Sequence, residues 1–571
     1  MKNLAHELKP LFVEAVAKAF PELSEAELVE IISVEEPREA GHGDFACPVA
    51  FRLAKMLGKN PVEIGNAIVE NFPEDYRIGD VEFLLPGFVN VRVKVSYLEE
   101  VLKQLETGFS YEGGPARKRP VIVEYPSTNA AKQMGVHHII TTFLGDALAN
   151  LFDFMGYEVM RINHLGDWGT HFGKLIYAIE TWGDKAVIHA DPNMEFNKLY
   201  VKFNDEAEKN PELLDEARAI FKSLEEGDEL RLAMWNWIVK ESTEDLEKLL
   251  ARLGVEVDMH MGESFYLKMM EPIVEEGIKR GLFVEGEGGS LIYDMGEDQT
   301  PALIKKSDGT TLYLTRDIAT IKYRVETWNP ATILYVVDHA QSLHFKQNFE
   351  IARALGTADD TDLEHVAFGR MRFADGSMST RKGTDIKLPV LLNEAAKRAA
   401  ALAAERGTEL PREEFAAMAE LIGKSSVKYG VLNQDRVKDI IFEWEKVITL
   451  EGNSAPYLLY SYARAHNIVV KAGDVPLSGL PKLTEEAEIE LVRHMLKFPN
   501  ALERAVNERK PHMVSFYLYE LCQEFNRFYG KVRVMEAEED AKRSRLMLVH
   551  AFMHQLKAGL SILGIPVVER M

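Results

Sequence analysis

Two short strand-like runs joined through one long apolar helix leave this chain few ways to fold. Val121 to Tyr125 reads as a strand, Pro126 to Gly135 as a polar loop of small residues, and Val136 to Met155 as a helix. Val136, Ile140, Phe143, Ala147, Leu151 and Phe154 share one helical face, and Gly156 is the expected stop. Tyr157 to Ile162 is the next strand. A strand–helix–strand unit of this kind calls for a parallel pair. A later strand, Ile333 to Val337, leads through Asp338-His339-Ala340-Gln341 into a second helix reaching Leu355. The expectation is an α/β chain with an open parallel sheet that binds ligands at the carboxyl ends of its strands.

The chain has 571 residues, enough for two to four domains. Its composition, 46% hydrophobic and 27% charged, is that of a soluble globular protein. No apolar run approaches the roughly 20 residues of a membrane helix. Met1 to Pro10 is charged throughout and does not read as a signal peptide. Only Cys47 and Cys522 occur, which fits a reducing cytoplasm and argues against a disulfide framework or a structural zinc site. The net charge of −23 does not suggest nucleic acid, but from Leu450 onward the balance is near neutral, about 16 basic against about 15 acidic side chains.

Residues 1 to about 110 read as a separate small α/β unit. Leu8, Phe12, Val16 and Phe20 recur at helical spacing, and Pro86 to Val91 reads as a turn into a strand. Glu112 to Pro115 with Lys118 to Pro120 is the expected linker. Residues 180 to 300 read as a largely helical, acidic insertion. From Leu392 the chain reads almost wholly helical, with a break at Gly473 to Pro476.

Four segments hold side chains suited to chemistry. Ser127 to His138 runs from a strand into a helix N-terminus, where free N–H groups and a positive dipole end receive phosphates. Lys132, His137 and His138 would add charge there; an ordinary loop with surface histidines explains the pattern equally well. Asp375 to Gly383 follows an expected strand at Val366 to Met371 and is doubly basic through Arg381 and Lys382. It suits a clamp over a triphosphate, or is a solvated hairpin tip. Thr310 to Ala319, if helical, puts Tyr313 and Asp317 on one face. An aromatic plane beside a carboxylate suits a guanidinium; the plainer alternative is an amphipathic helix whose Arg316 and Asp317 are merely solvated. Gly452 to Arg464 is rich in tyrosine, with planes able to stack on unpaired bases or to fill a core.

In order and spacing these segments resemble the class I arginyl-tRNA synthetases. Val123 to Lys132 resembles that family's approach to its HIGH signature, and Gly145-Asp146-Ala147-Leu148 follows at the expected distance. Asn163-His164-Leu165-Gly166-Asp167-Trp168-Gly169-Thr170-His171-Phe172-Gly173 resembles a block associated with arginine enzymes. Met378-Ser379-Thr380-Arg381-Lys382-Gly383 resembles their KMSKS loop, and Gly564 to Met571 their ending. The likeness runs from Gly43-Asp44-Phe45-Ala46 onward.

The resemblance implies four parts. An N-terminal additional domain over 1–110 would touch the tRNA elbow. A Rossmann-like catalytic domain over 111–390 would carry the insertion at about 180–300. A helical connector would span 391–449, and an all-α bundle over 450–571 would read the anticodon. It implies that arginine and ATP give arginyl-adenylate, and that the arginyl group then passes to the 2′-hydroxyl of the terminal adenosine of tRNA(Arg). Magnesium would accompany ATP without a dedicated protein site; no DNA or membrane partner is implied, and the chain would be monomeric. Activation would need bound tRNA.

By the same likeness, Glu124 and Asn129 hold the amino-acid backbone, and Ser127 is a further arginine-site residue. Glu263 and Asp317 lie near the guanidinium, with Tyr313 beside it and Gln341 as a further contact. Gly135, His138, Gly145, Asp146, Met378 and Ser379 meet ATP. Lys132, His137, His138, Arg381 and Lys382 supply catalytic charge, and Asn453, Tyr457, Tyr460 and Arg464 meet tRNA. Two carboxylates around a planar five-donor cation would reject lysine and citrulline.

Two signatures depart from the family. His-Val-Gly-His is replaced by Gly135-Val136-His137-His138, so the first imidazole is absent and a side chain stands where glycine admits the adenine ring. An uncompensated phosphate contact is worth roughly 2–4 kcal/mol. In the KMSKS loop Ser377 and Thr380 stand where two lysines would be. Another class I synthetase, or a catalytically weak tRNA-binding paralogue, are the competing readings.

Overall fold

Val121, Ile122 and Val123 are all buried, as strands covered on both faces must be. They belong to β1 (Val121–Glu124), the centre of a five-stranded sheet completed by β2 (Val159–Leu165), β3 (Met259–Gly262), β4 (Thr332–Tyr335) and β5 (Asp362–His365). The order is β5-β4-β1-β2-β3 and every pairing is parallel. Strand order reverses between β1 and β4, the place where open parallel sheets leave a crevice for ligands. The computed structural model describes residues 1–571 apart from 38, 40, 115–118, 298, 308–312 and 375–386. Met378, Ser379, Arg381 and Lys382 lie outside the described residues, as does part of the expected linker.

A turn at Val136–His138 leads into α1 (Ile139–Phe154). The sequence predicts one apolar face, yet every residue from Ile139 to Ala149 is buried. The reason is a covering helix, Arg412–Leu432, on the side away from the sheet. Lys428 from that helix reaches Asp146 of α1 at 2.9 Å, both side chains 2% exposed.

From Thr170 to Leu253 the chain is helical, but it then re-enters the sheet as β3. A three-stranded antiparallel sheet follows, Phe283–Glu285, Leu291–Tyr293 and Ala302–Lys305. The expected insertion over 180–300 therefore contains strands as well as helices. Met-His-Met-Gly has no β-branched residue and is too short for alternation to mark it. The strand expected over Val366 to Met371 is also different. Pairing with β4 ends at His365, opposite Tyr335, and Met371–Phe373 pairs instead with Ile440–Phe442. Two further helices, α2 (Tyr313–Trp328) and α3 (Ser342–Ala354), flank the crevice.

Residues 116–449 with 562–565 form one compact unit, and residues 1–115 with 450–561 and 566–571 form another. In the second, helix Leu4–Ala19 buries Leu8, Phe12 and Val16, and three antiparallel strands follow. Within this unit the N-terminal segment also touches residues of the C-terminal helices. Glu503 accepts from Asn3 Nδ2 at 2.7 Å and from the Tyr111 hydroxyl at 2.6 Å, and Arg493 Nε lies 3.5 Å from Asp44. Partners so distant in the chain leave no periodic trace. Among the described residues, no helix is long and apolar enough to cross a membrane.

Candidate active site

The crevice at the switch point holds a cavity of about 500 Å³. Glu124 enters from the end of β1, Glu263 from the residue after β3, Tyr313 and Asp317 from α2, and Gln341 from the turn before α3. Ser127 and Asn129 complete the wall next to β1. All seven residues expected around arginine therefore line one cavity.

Each carboxylate has a partner that sequence reasoning missed. Glu124 pairs with Arg324 at 2.5 Å, and that guanidinium is fully buried. Glu263 pairs with Arg316, whose guanidinium lies 4.9 Å from the centre of the Tyr313 ring. Asp317 Oδ2 is 2.5 Å from His344 Nε2, which Asn348 meets at 2.9 Å. Arg316 and Arg324 are two helical turns apart on α2, so their shared face was the one available signal.

The backbone at Glu263 is clamped. Ser264 donates its N–H and its hydroxyl to Asp167 at 2.8 and 2.6 Å. Gly262 packs so closely on the same carboxylate that any Cβ would collide with it. Asp167 belongs to the tryptophan-containing block after β2, and its carbonyl accepts from Trp235 Nε1 at 2.7 Å. Burial pushes Asp167 above the usual carboxylate range despite the Ser264 bonds. Burial also drives the Glu263 carboxyl up to about 7; Arg316 opposes the rise, and Asp317 and Asp167 add to it.

The Ser127 to Gly135 loop also borders a second cavity of about 460 Å³, lined by Lys132, His137, His138 and Lys387 among others. The loop is stitched down by Ala130 N–H to Gly166 (3.0 Å), Gly166 N–H to Thr128 (2.8 Å) and Ala131 N–H to Ser242 (2.5 Å). His138 Nδ1 accepts from the Gly135 N–H at 3.2 Å, and the two imidazoles lie 3.9 Å apart. Gly135 has φ −91°, open to any L-residue, so the backbone does not explain its missing side chain. Lys387, not foreseen, pairs its backbone with Gly135.

Gly145 and Asp146 lie on α1. Neither lines the cavities described. A Cβ at Gly145 would run into the Tyr125 ring, so that glycine serves close packing. Asp146 is taken by Lys428, whose ammonium also donates to the carbonyls of Gly254 (3.3 Å) and Gly564 (3.2 Å).

In the other unit, Tyr457, Tyr460 and Arg464 lie on helix Ala455–Ala472, with Asn453 just before it. The Arg464 guanidinium sits 4.8 Å from the Tyr460 ring and 4.9 Å from Tyr529, and it donates to Asn526. Asn526 in turn donates to the Tyr457 hydroxyl at 2.9 Å. Tyr460 and Tyr529 are exposed, while Tyr457 is half-buried.

Comparison with known proteins follows this division. Residues 100–444 match the family described as tRNA synthetases class I (R), catalytic domain. Residues 6–93 match the arginyl tRNA synthetase N terminal domain, and 458–571 the DALR anticodon binding domain. An arginine–tRNA ligase of Fusobacterium nucleatum is 38% identical over 579 aligned residues, covering 100% of both chains. One from Halothermothrix orenii is 36% identical, covering 99% of this chain and 100% of its own. The arginyl-tRNA synthetase structure from Plasmodium falciparum has the same fold, with TM-score 0.84 at 24% identity over 100% of both chains.

Proposed function

Because the chain belongs to the class I arginyl-tRNA synthetases, we propose that it joins L-arginine to tRNA(Arg) and that the switch-point cavity is its amino-acid site. One observation carries the site reading: Glu263 and Asp317 face a common cavity with the Tyr313 ring at its rim. The two carboxylates take the guanidinium, and Tyr313 covers its plane. Gln341 supplies a further polar contact. Glu124, Ser127 and Asn129 hold the ammonium and carboxylate end. Lysine lacks the fork to satisfy both acids, and citrulline would turn an oxygen toward one of them.

ATP occupies the neighbouring cavity, with Asn129 common to both walls. Lys132, His137 and His138 face its phosphates, so that the arginine carboxylate attacks the α-phosphorus and pyrophosphate leaves. The described lining offers amines and imidazoles and no carboxylate. That donor set suits phosphate oxygens, so magnesium arrives on the nucleotide. The remaining cations of the KMSKS-like loop, Arg381 and Lys382, act on the same phosphates. The arginyl group then moves to the 2′-hydroxyl of the terminal adenosine, and tRNA binding is required for the first step. Tyr460 and Arg464 offer stacking planes to anticodon bases, with Tyr457 and Asn453 beside them. The protein acts as a monomer in the cytoplasm.

Charging of total tRNA with each labelled amino acid plus ATP tests the function: arginine alone is incorporated. No incorporation of any amino acid, with tRNA still bound, would overturn it. Within the site, Asp317→Ala abolishes arginine activation while ATP affinity is kept; unchanged arginine affinity would remove Asp317 from the pocket. Lys132→Ala slows adenylate formation, read by pyrophosphate exchange with tRNA present, far more than it weakens arginine binding.

A further inference from the structure

We infer that Arg316 is a positioning residue for arginine recognition: it holds Glu263 aimed and ionised, leaving the second carboxylate oxygen to the substrate guanidinium. The inference rests on the reading that Glu263 meets that guanidinium. Arg316 is buried and is not part of the cavity wall, so it acts through Glu263. Its guanidinium pairs with Glu263 Oε2. Asp167 fixes the backbone on either side of Glu263 by holding Ser264 and crowding Gly262. Backbone and side chain are thus held by two separate groups.

The charges around Glu263 explain why a cation is needed behind it. Arg316 and Asp317 face it from α2, and Asp167 faces it from the loop after β2. His344 of α3 is engaged by Asp317, and the Tyr313, Tyr266 and His164 rings lie alongside. Among these described neighbours Arg316 is the one permanent cation, set against two acids. Without it a buried carboxyl beside two others takes up a proton. A protonated Glu263 cannot pair with a guanidinium, and burial already brings the carboxyl close to that point, at about 7.

The test measures the arginine dissociation constant of the full chain with saturating tRNA, between about pH 6 and pH 8.5; titration of the substrate ammonium is common to all variants and cancels in the ratio to wild type. Wild type, Arg316→Gln, Arg316→Lys and Glu263→Gln are compared. Wild-type affinity rises through neutral pH. In Arg316→Gln the midpoint moves up by about one unit, which is up to about tenfold weaker binding at the acid end and recovery toward wild type at the alkaline end. Arg316→Lys keeps the charge and stays nearer the wild-type midpoint. Glu263→Gln is weak at every pH.

A loss in Arg316→Gln that is equal at all pH values marks a purely structural role and overturns the inference. An unshifted profile or tighter binding overturns it too. If Arg316→Gln does not fold, Arg316→Lys decides alone, because a midpoint raised by about a unit despite the retained charge contradicts the proposal. Wild-type affinity and profile in Glu263→Gln would instead overturn the guanidinium-site reading.

Discussion

At the scale of single residues, Glu263 sets stability and ligand binding against each other. Its carboxyl lies at about 7 in the folded protein against 4.5 for the free group. The folded state therefore holds an extra proton between those values, and stability falls as pH rises through that window. Arginine binding follows the opposite sign, since it needs the ionised acid. The rise in melting temperature produced by saturating arginine should accordingly be larger at pH 8 than at pH 6, as differential scanning fluorimetry can measure. Equal rises would mean that Glu263 does not titrate on binding. The seven residues expected around arginine were legible because each lies in a segment that the family resemblance covers, whereas His344 and Asn348, which line the same cavity, were not. Arg316 was not, because its partner lies 53 positions upstream and nothing local distinguishes a paired arginine from a solvated one. Asp146 shows the converse: it stood in a recognisable motif, yet its partner Lys428 lies 282 positions away and gives it a structural task.

Among elements, α1 and the helix Arg412–Leu432 are joined by that buried pair. Removing one partner strands the other charge, a loss of about 3–5 kcal/mol. Lys428→Ala should show it as a lower urea midpoint, and pairing it with Asp146→Ala should restore part of the loss, as a double-mutant cycle would reveal. Additive effects would mean the pair contributes little. Long elements with clear periods, such as α1 and α3, were readable in the sequence. β3 was not, because four residues without a β-branched side chain carry no alternation. That gap mattered, because β3 is the strand that delivers Glu263. The element that most needed foresight was thus the one with the weakest local pattern.

For the whole molecule, a net charge of −23 leaves tRNA affinity to local chemistry. Stacking on an aromatic plane is worth about 1–3 kcal/mol per base. Arg464→Ala should weaken tRNA binding by an amount in that range while arginine affinity at saturating tRNA is unchanged, measured by filter binding and calorimetry. An unaltered tRNA affinity would return Arg464 to a purely structural role between Tyr460, Tyr529 and Asn526. The family was legible across the whole chain because its motifs are ordered along it; the joining of residues 1–115 with 450–561 was not, because that joining is purely spatial. It also has a consequence for biosynthesis. The first segment emerges 334 residues (449 − 115) before its partner begins, which at ~5–20 residues per second is a wait of ~17–67 s. Through that interval Glu503 and Arg493, which Asn3, Tyr111 and Asp44 meet in the folded unit, are not yet made. The other unit waits as well, for Gly564 and the ammonium of Lys428 that it receives. A ribosome stalled before residue 562 would therefore hold a nascent chain in which neither half is closed, exposed to chaperones and proteases until its final turn is made.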